Sequence, residues 1–262
     1  MSFRWIWIIF AVFLITLVPL KILGAFFTLT FVESTIFLII FSAAIICTMI
    51  LASFIKMDIR NIDIKQNIWL GILSLLIAAS FFWCAMGYRS DTSKYDFTWQ
   101  PFILSTFAIL SCITFILSAA TFFSGKNILA KASFFIFCPV LWLALNMILF
   151  LSIYNNNVNV YDVLLMAFLA LFFVYHTQVF STSSNSNIAK LMFVLGIPTI
   201  ILALIKCVPI LIKFINHQNV SNLSASTCTV EILLALYIFV TLLNTYKQSQ
   251  ELKNPVIKST TL

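Results

Sequence analysis

Eight unbroken apolar runs, each about 20 residues long, constrain this chain more than any other feature of its sequence. They fall at residues 5–23, 35–55, 67–88, 101–123, 132–154, 161–180, 189–212 and 229–246. A helix needs about 20 apolar residues to cross a hydrocarbon core of ~30 Å. A barrel strand would instead alternate polar and apolar positions over ~10 residues. The composition closes off a water-soluble alternative. Hydrophobic residues make up 62% of the chain and charged residues 9%, whereas soluble domains are about half apolar and about a quarter charged. One aqueous core cannot hide that much apolar surface beneath so few charges. The expected fold is an all-α polytopic transmembrane bundle of about eight spanning helices. It forms a single domain over residues 1–246, followed by a cytoplasmic tail over 247–262. The first run has no small-residue cleavage site after it, and Lys21 is succeeded by more apolar sequence. It therefore reads as a retained helix rather than a signal peptide.

Basic residues set the orientation, because cytoplasmic loops retain Lys and Arg. With eight spans, one side carries Arg4, Lys56, Arg60, Lys65, Lys126, Lys131, Lys190, Lys247, Lys253 and Lys258 against Asp58, Asp63 and Glu251, or 10 − 3 = +7. The other side carries Lys21, Arg89, Lys94, Lys206 and Lys213 against Glu33, Asp91, Asp96, Asp162 and Glu231, or 5 − 5 = 0. The whole basic excess lies on one face, so both termini are expected in the cytoplasm. Trp5, Trp7, Trp69 and Tyr246 at the inner ends, and Trp83, Tyr88, Trp99, Tyr154 and Tyr161 at the outer ends, match aromatic belts. The formal charge of +7 is thereby explained without nucleic acid. The lipid bilayer is the expected partner, with a second membrane protein as a further one. Abundant Phe, Ile, Lys and Asn with only three Arg fit an AT-rich, bacterial origin.

No motif names a reaction. Ser124-Gly125-Lys126-Asn127 lacks the leading Gly (Ala120 stands there) and the Ser or Thr of a phosphate-binding loop. No H-E-x-x-H or G-x-S-x-G occurs. Tyr95-Asp96 and Tyr161-Asp162 match one half of an intramembrane aspartyl protease site, but neither Asp lies deep in a run and no G-x-G-D partner exists. No catalytic residue, cofactor or metal is therefore expected. The six cysteines never approach C-x-x-C spacing. Cys84, Cys207 and Cys228 fall near the outer surface, where a bridge among them is conceivable. Asn219 and Asn222 begin N-x-S triplets on the expected outer loop, which would accept glycans only in a secretory-pathway protein. Residues 181–187 and 216–229 read as exposed connectors.

Ionisable groups inside a membrane are the default functional clue, and few exist here. Lys206 lies in the outer third of the seventh run, between Pro198 and Pro209. Pro209 cannot donate to the carbonyl of Ile205. The ammonium can reach that carbonyl, pair with Glu231 or Asp162 at the same outer depth, or snorkel to water. In the fifth run Pro139, Trp142 and Asn146 share a helix face, and mid-membrane Asn146 needs a partner, either a ligand or a neighbouring helix. His176, near the cytoplasmic end of the sixth run, is the candidate proton carrier, with an amphipathic interfacial role as its plainer alternative. Lys206, Asn146, Trp142, Glu231 and Asp162 are thus the candidate substrate-binding residues. The expected function is a transporter, or the membrane subunit of one, for a small or lipid-like molecule. The alternative is a non-catalytic regulatory, immunity or assembly subunit bound to other membrane proteins. Only five Gly and no internal repeat weigh against a carrier built on broken helices.

Overall fold

The computed structural model describes residues 3–27, 35–54, 65–90, 97, 99–153, 160–180, 186–216, 218 and 220–253. Asp96, Tyr154, His217, Asn219 and the chain beyond Lys253 lie outside them. Among the described residues the protein is all-helical: α1 (Phe3–Phe27), α2 (Thr35–Ser53), α3 (Ile68–Ser90), α4 (Trp99–Ser124), a short 3-10 turn (Leu129–Ala132), α5 (Ser133–Ile136), α6 (Cys138–Ile153), α7 (Val160–Phe180), α8 (Ser186–Ile215) and α9 (Asn222–Lys253). Among the described residues, five stretches are long and apolar enough to cross a membrane: Ile68–Ser90, Trp99–Ser124, Val160–Val179, Ile188–Ile215 and Asn222–Gln250. Phe10–Ile22, Ser42–Ser53 and Phe134–Leu149 are shorter apolar helical stretches.

Two elements depart from the apolar runs, each for a local reason. The run 132–154 is not one helix but a turn, α5 and α6, with the break at Phe137. Pro139 has no N–H to give the carbonyl of Phe135 four residues earlier. Thr114 of α4 supplies the missing donor, its Oγ1 donating to Phe135 O at 2.6 Å. The expected connector 216–229 is corrected in its second half, because α9 begins at Asn222. Ser221 caps it by accepting the N–H of Ser224 at 3.2 Å. Ser226 and Thr229 then return their hydroxyls to the helix's own Leu223 and Ala225 carbonyls. Hydroxyls satisfied in this way let a Ser/Thr-rich segment enter an apolar bundle. At its other end α9 runs on to Lys253, with Gln248 and Ser249 buried, so the first part of the expected tail is helical.

The packing closes on itself. α3 lies against α4, α4 against α6, α6 against α7, α7 against α8, α8 against α9 and α9 against α3, a ring of six helices. α1 and α2 pack outside it on α8. Gly196 lets α8 sit close to two neighbours: a Cβ there would lie 2.9 Å from Leu242 and 3.0 Å from Ile238 on α9, and 3.2 Å from Phe172 on α7. Aromatic rings from five further positions fill the middle of the bundle. Phe81 stacks on Phe115 (5.7 Å) and meets Trp142 edge-on (5.0 Å). Tyr237 packs edge-on to Phe115 (5.8 Å) and stacks on Phe173 (6.3 Å). At one end, Gln66 Nε2 donates to Phe123 O at 2.8 Å and Asn67 N to Phe122 O at 3.0 Å, so the segment before α3 meets the last turn of α4 on the side expected to be cytoplasmic. The outward faces carry large apolar side chains, Trp69, Phe102 and Phe134 among them, as lipid permits.

Candidate functional site

Three charged side chains from three helices converge at the opposite end of the ring. Lys206 of α8 donates to both carboxylate oxygens of Glu231 on α9, at 2.8 and 2.7 Å, and to Asp162 Oδ1 at the start of α7, at 2.8 Å. Alternating helix direction explains the meeting. α8 approaches its C-terminal end there while α7 and α9 begin, so residues late in one and early in the others share a level. Glu231 is 1% exposed, Lys206 9% and Asp162 16%, which makes Asp162 the open side of the triad. Lys206 is held by two acids and does not snorkel. On the outer flank, Lys21 of α1 places its ammonium 5.3 Å over the ring of Tyr161, the residue before Asp162.

Thiols line the sealed side. Cys207 Sγ donates to Glu231 Oε2 at 3.0 Å. Cys228, one turn before Glu231 on the same face of α9, completes a buried group whose three donor atoms all lie within 4.8 Å of one another. Cys84 of α3 is fully buried against Tyr88 and Ser226. Cys84, Cys207 and Cys228 are all free thiols. Sequence spacing had offered no metal ligands, because the donors come from two helices. The one local sign was Cys228 and Glu231 at i and i+3.

The remaining candidates stand apart from the triad. Asn146 accepts from Tyr88 Oη at 2.7 Å and donates to its own helix at Trp142 O at 2.8 Å, a tie between α6 and α3. Tyr88 is accordingly buried and is no member of an interfacial belt, whereas Trp69, Trp83 and Trp99 are exposed. Trp142 is buried against Phe81, and its Nε1 has no hydrogen-bond partner among the described residues. His176 is buried too, 3.3 Å from Tyr237 Oη and stacked on Phe172, which corrects the expected interfacial role. At 1.5 Å of rise per residue it lies about 21 Å along α7 from Asp162, too far to act in the same site. Asn222 is exposed at the first turn of α9.

No family model matches the chain, and no curated protein or solved structure is similar to it. The class therefore rests on the fold and the site: among the described residues, an all-helical protein whose apolar helices fit a membrane and three of whose charged side chains meet inside it.

Proposed function

We propose that the chain is a multi-pass cell-membrane protein of eight spans, with both termini cytoplasmic, that carries a small solute through the six-helix ring. One observation carries this reading: the Asp162–Lys206–Glu231 triad, buried at the junction of α7, α8 and α9. Ionisable groups are costly in a bilayer, and they mark paths for ions and substrates when they face a bundle interior. The triad holds two carboxylates for one ammonium in direct contact, so it favours a cationic or protonated guest over an anion. Its exposure falls from Asp162 to Glu231, which fits loading from the outer face. Below it stand Phe81, Phe115, Trp142 and Tyr237 as an aromatic barrier, with Tyr237 six residues, or about 9 Å of rise, beyond Glu231 on α9. Passage then requires those rings to part, and α8, with Pro198 and Pro209, is the helix suited to bend.

The test is flux in proteoliposomes, with radiolabelled amino acids, polyamines and divalent metals as probes. Wild-type protein is expected to move at least one of them, and Glu231→Gln, which keeps the side-chain shape, to lose that flux while remaining monodisperse. Asn146→Ala should lower stability and leave flux in place. Equal flux through wild type and Glu231→Gln overturns the reading. So does an inert wild type that purifies in mild detergent with a stoichiometric second protein, the behaviour of a regulatory or assembly subunit. Substituted cysteines at Lys126 and Lys253 should label from the same, cytoplasmic side.

A further inference from the structure

We infer that Cys207, Cys228 and Glu231 form a binding site for a soft divalent metal ion of the zinc class, with Lys206 and Asp162 as the support that positions Glu231. The donor set is two sulfurs and one carboxylate oxygen, drawn from two helices and all buried. Thiolate with carboxylate suits zinc-like ions, which take tetrahedral geometry. Metal–sulfur bonds of about 2.3 Å require the two sulfurs to stand about 3.8 Å apart. Donor atoms already within 4.8 Å of one another reach that arrangement by small side-chain rotations. Three protein ligands leave the fourth position open, the pattern of sites that exchange a ligand rather than lock a fold.

The surrounding charges favour a divalent ion. Binding deprotonates both thiols, so one divalent cation replaces two protons and the charge of the cluster is unchanged. A monovalent ion would leave an extra negative charge among apolar helices, and a hard ion such as magnesium would forgo the sulfurs. Lys206 donates to both oxygens of Glu231, including Oε2, which also accepts from Cys207 Sγ. An ion on Oε2 therefore takes the place of the thiol proton, while the ammonium turns to Oε1 and Asp162. Outer-shell partners of this kind orient metal-binding carboxylates. The site stands whether or not the chain moves solutes, since a resident ion and a transported one need the same donors.

The experiment uses the full chain, purified in detergent under a thiol-free reductant, stripped of metal and titrated with Cd(II). One ion per chain is expected, with an ultraviolet thiolate-to-cadmium band scaled to two thiolates and about two protons released per ion at neutral pH. Zn(II) should compete, and Mg(II) should not. Cys207→Ser and Cys228→Ser should each abolish the band, Glu231→Gln should weaken binding at least tenfold, and Cys112→Ser should change nothing. Should a serine variant misfold, X-ray absorption of Zn(II) bound to the wild type decides: about two sulfur neighbours at about 2.3 Å are expected, and a shell without sulfur overturns the inference. A wild type without the band, or a Cys207→Ser/Cys228→Ser double variant that keeps it, overturns the inference. A wild type that moves no solute while its Cd(II) binding is intact would count against transport alone.

Discussion

Replacing Lys206 with Met should be among the most damaging single substitutions in this protein, and the contact geometry says by how much. The ammonium lies 2.7–2.8 Å from three carboxylate oxygens. Its loss leaves Glu231, which is 1% exposed, with no cation in contact and beside Asp162. Breaking a buried ion pair from one side costs about 3–5 kcal/mol. Glu231→Gln is the gentler cut, because Lys206 keeps Asp162 at 2.8 Å and the amide oxygen still accepts. Its cost is that of one charge-assisted hydrogen bond, about 1.5–3 kcal/mol. The double variant Lys206→Met/Glu231→Gln leaves only Asp162 charged, on the open side at 16% exposure, so its cost should fall short of the sum by about 0.5–3 kcal/mol. Reversible unfolding in mixed micelles, titrated with a denaturing detergent and followed by circular dichroism, measures all three. Lys206→Met milder than Glu231→Gln, or a double variant additive within about 0.5 kcal/mol, would refute a coupled triad.

Other contacts make smaller claims, all readable by the same unfolding assay. Tyr88→Phe removes the donor to Asn146 and should cost about 0.6 kcal/mol, and no more than about 1.7; combined with Asn146→Ala it should add little, since both cut one bond. Thr114→Val removes the side-chain donor to the Phe135 carbonyl at the proline break; that carbonyl keeps the Phe137 N–H, so the loss should cost about 0.5–1.5 kcal/mol. Gly196→Val forces two further methyls where a Cβ alone meets Leu242 at 2.9 Å and Ile238 at 3.0 Å, so it should cost about 1–3 kcal/mol or more. Gly87→Ala, whose nearest contact would be 3.3 Å, should be far milder.

Much of the helical layout is legible in the residues, because a backbone in lipid has to bond to itself and an apolar run has few other choices. Each of the eight runs overlaps helix among the described residues, although five of the helices are long and apolar enough to cross a membrane, and the interruption at Pro139 follows from a missing N–H. The early start of α9 was hidden by Ser and Thr, whose composition reads as a connector until their hydroxyls are seen to bond within the helix. The company of Lys206 was half legible. Alternation of helix direction puts Glu231 and Asp162 at its level, but no local pattern separates a lysine clamped by two acids from one reaching for water. The burial of His176 was not legible, because nearness to the end of a run does not reveal that Phe172 and Tyr237 cover the ring.

The sequence by itself determined that this chain is helical and apolar enough for a bilayer, since hydropathy and backbone satisfaction act over one segment at a time. It also supplied the basic asymmetry from which an orientation is argued. Only the tertiary structure decided which segments are neighbours, and with that the closed ring, the aromatic middle and the meeting of Cys207 with Cys228 and Glu231. Helix pairing depends on side chains that interlock across two surfaces, and residues twenty or more positions apart carry no shared local signal of that fit.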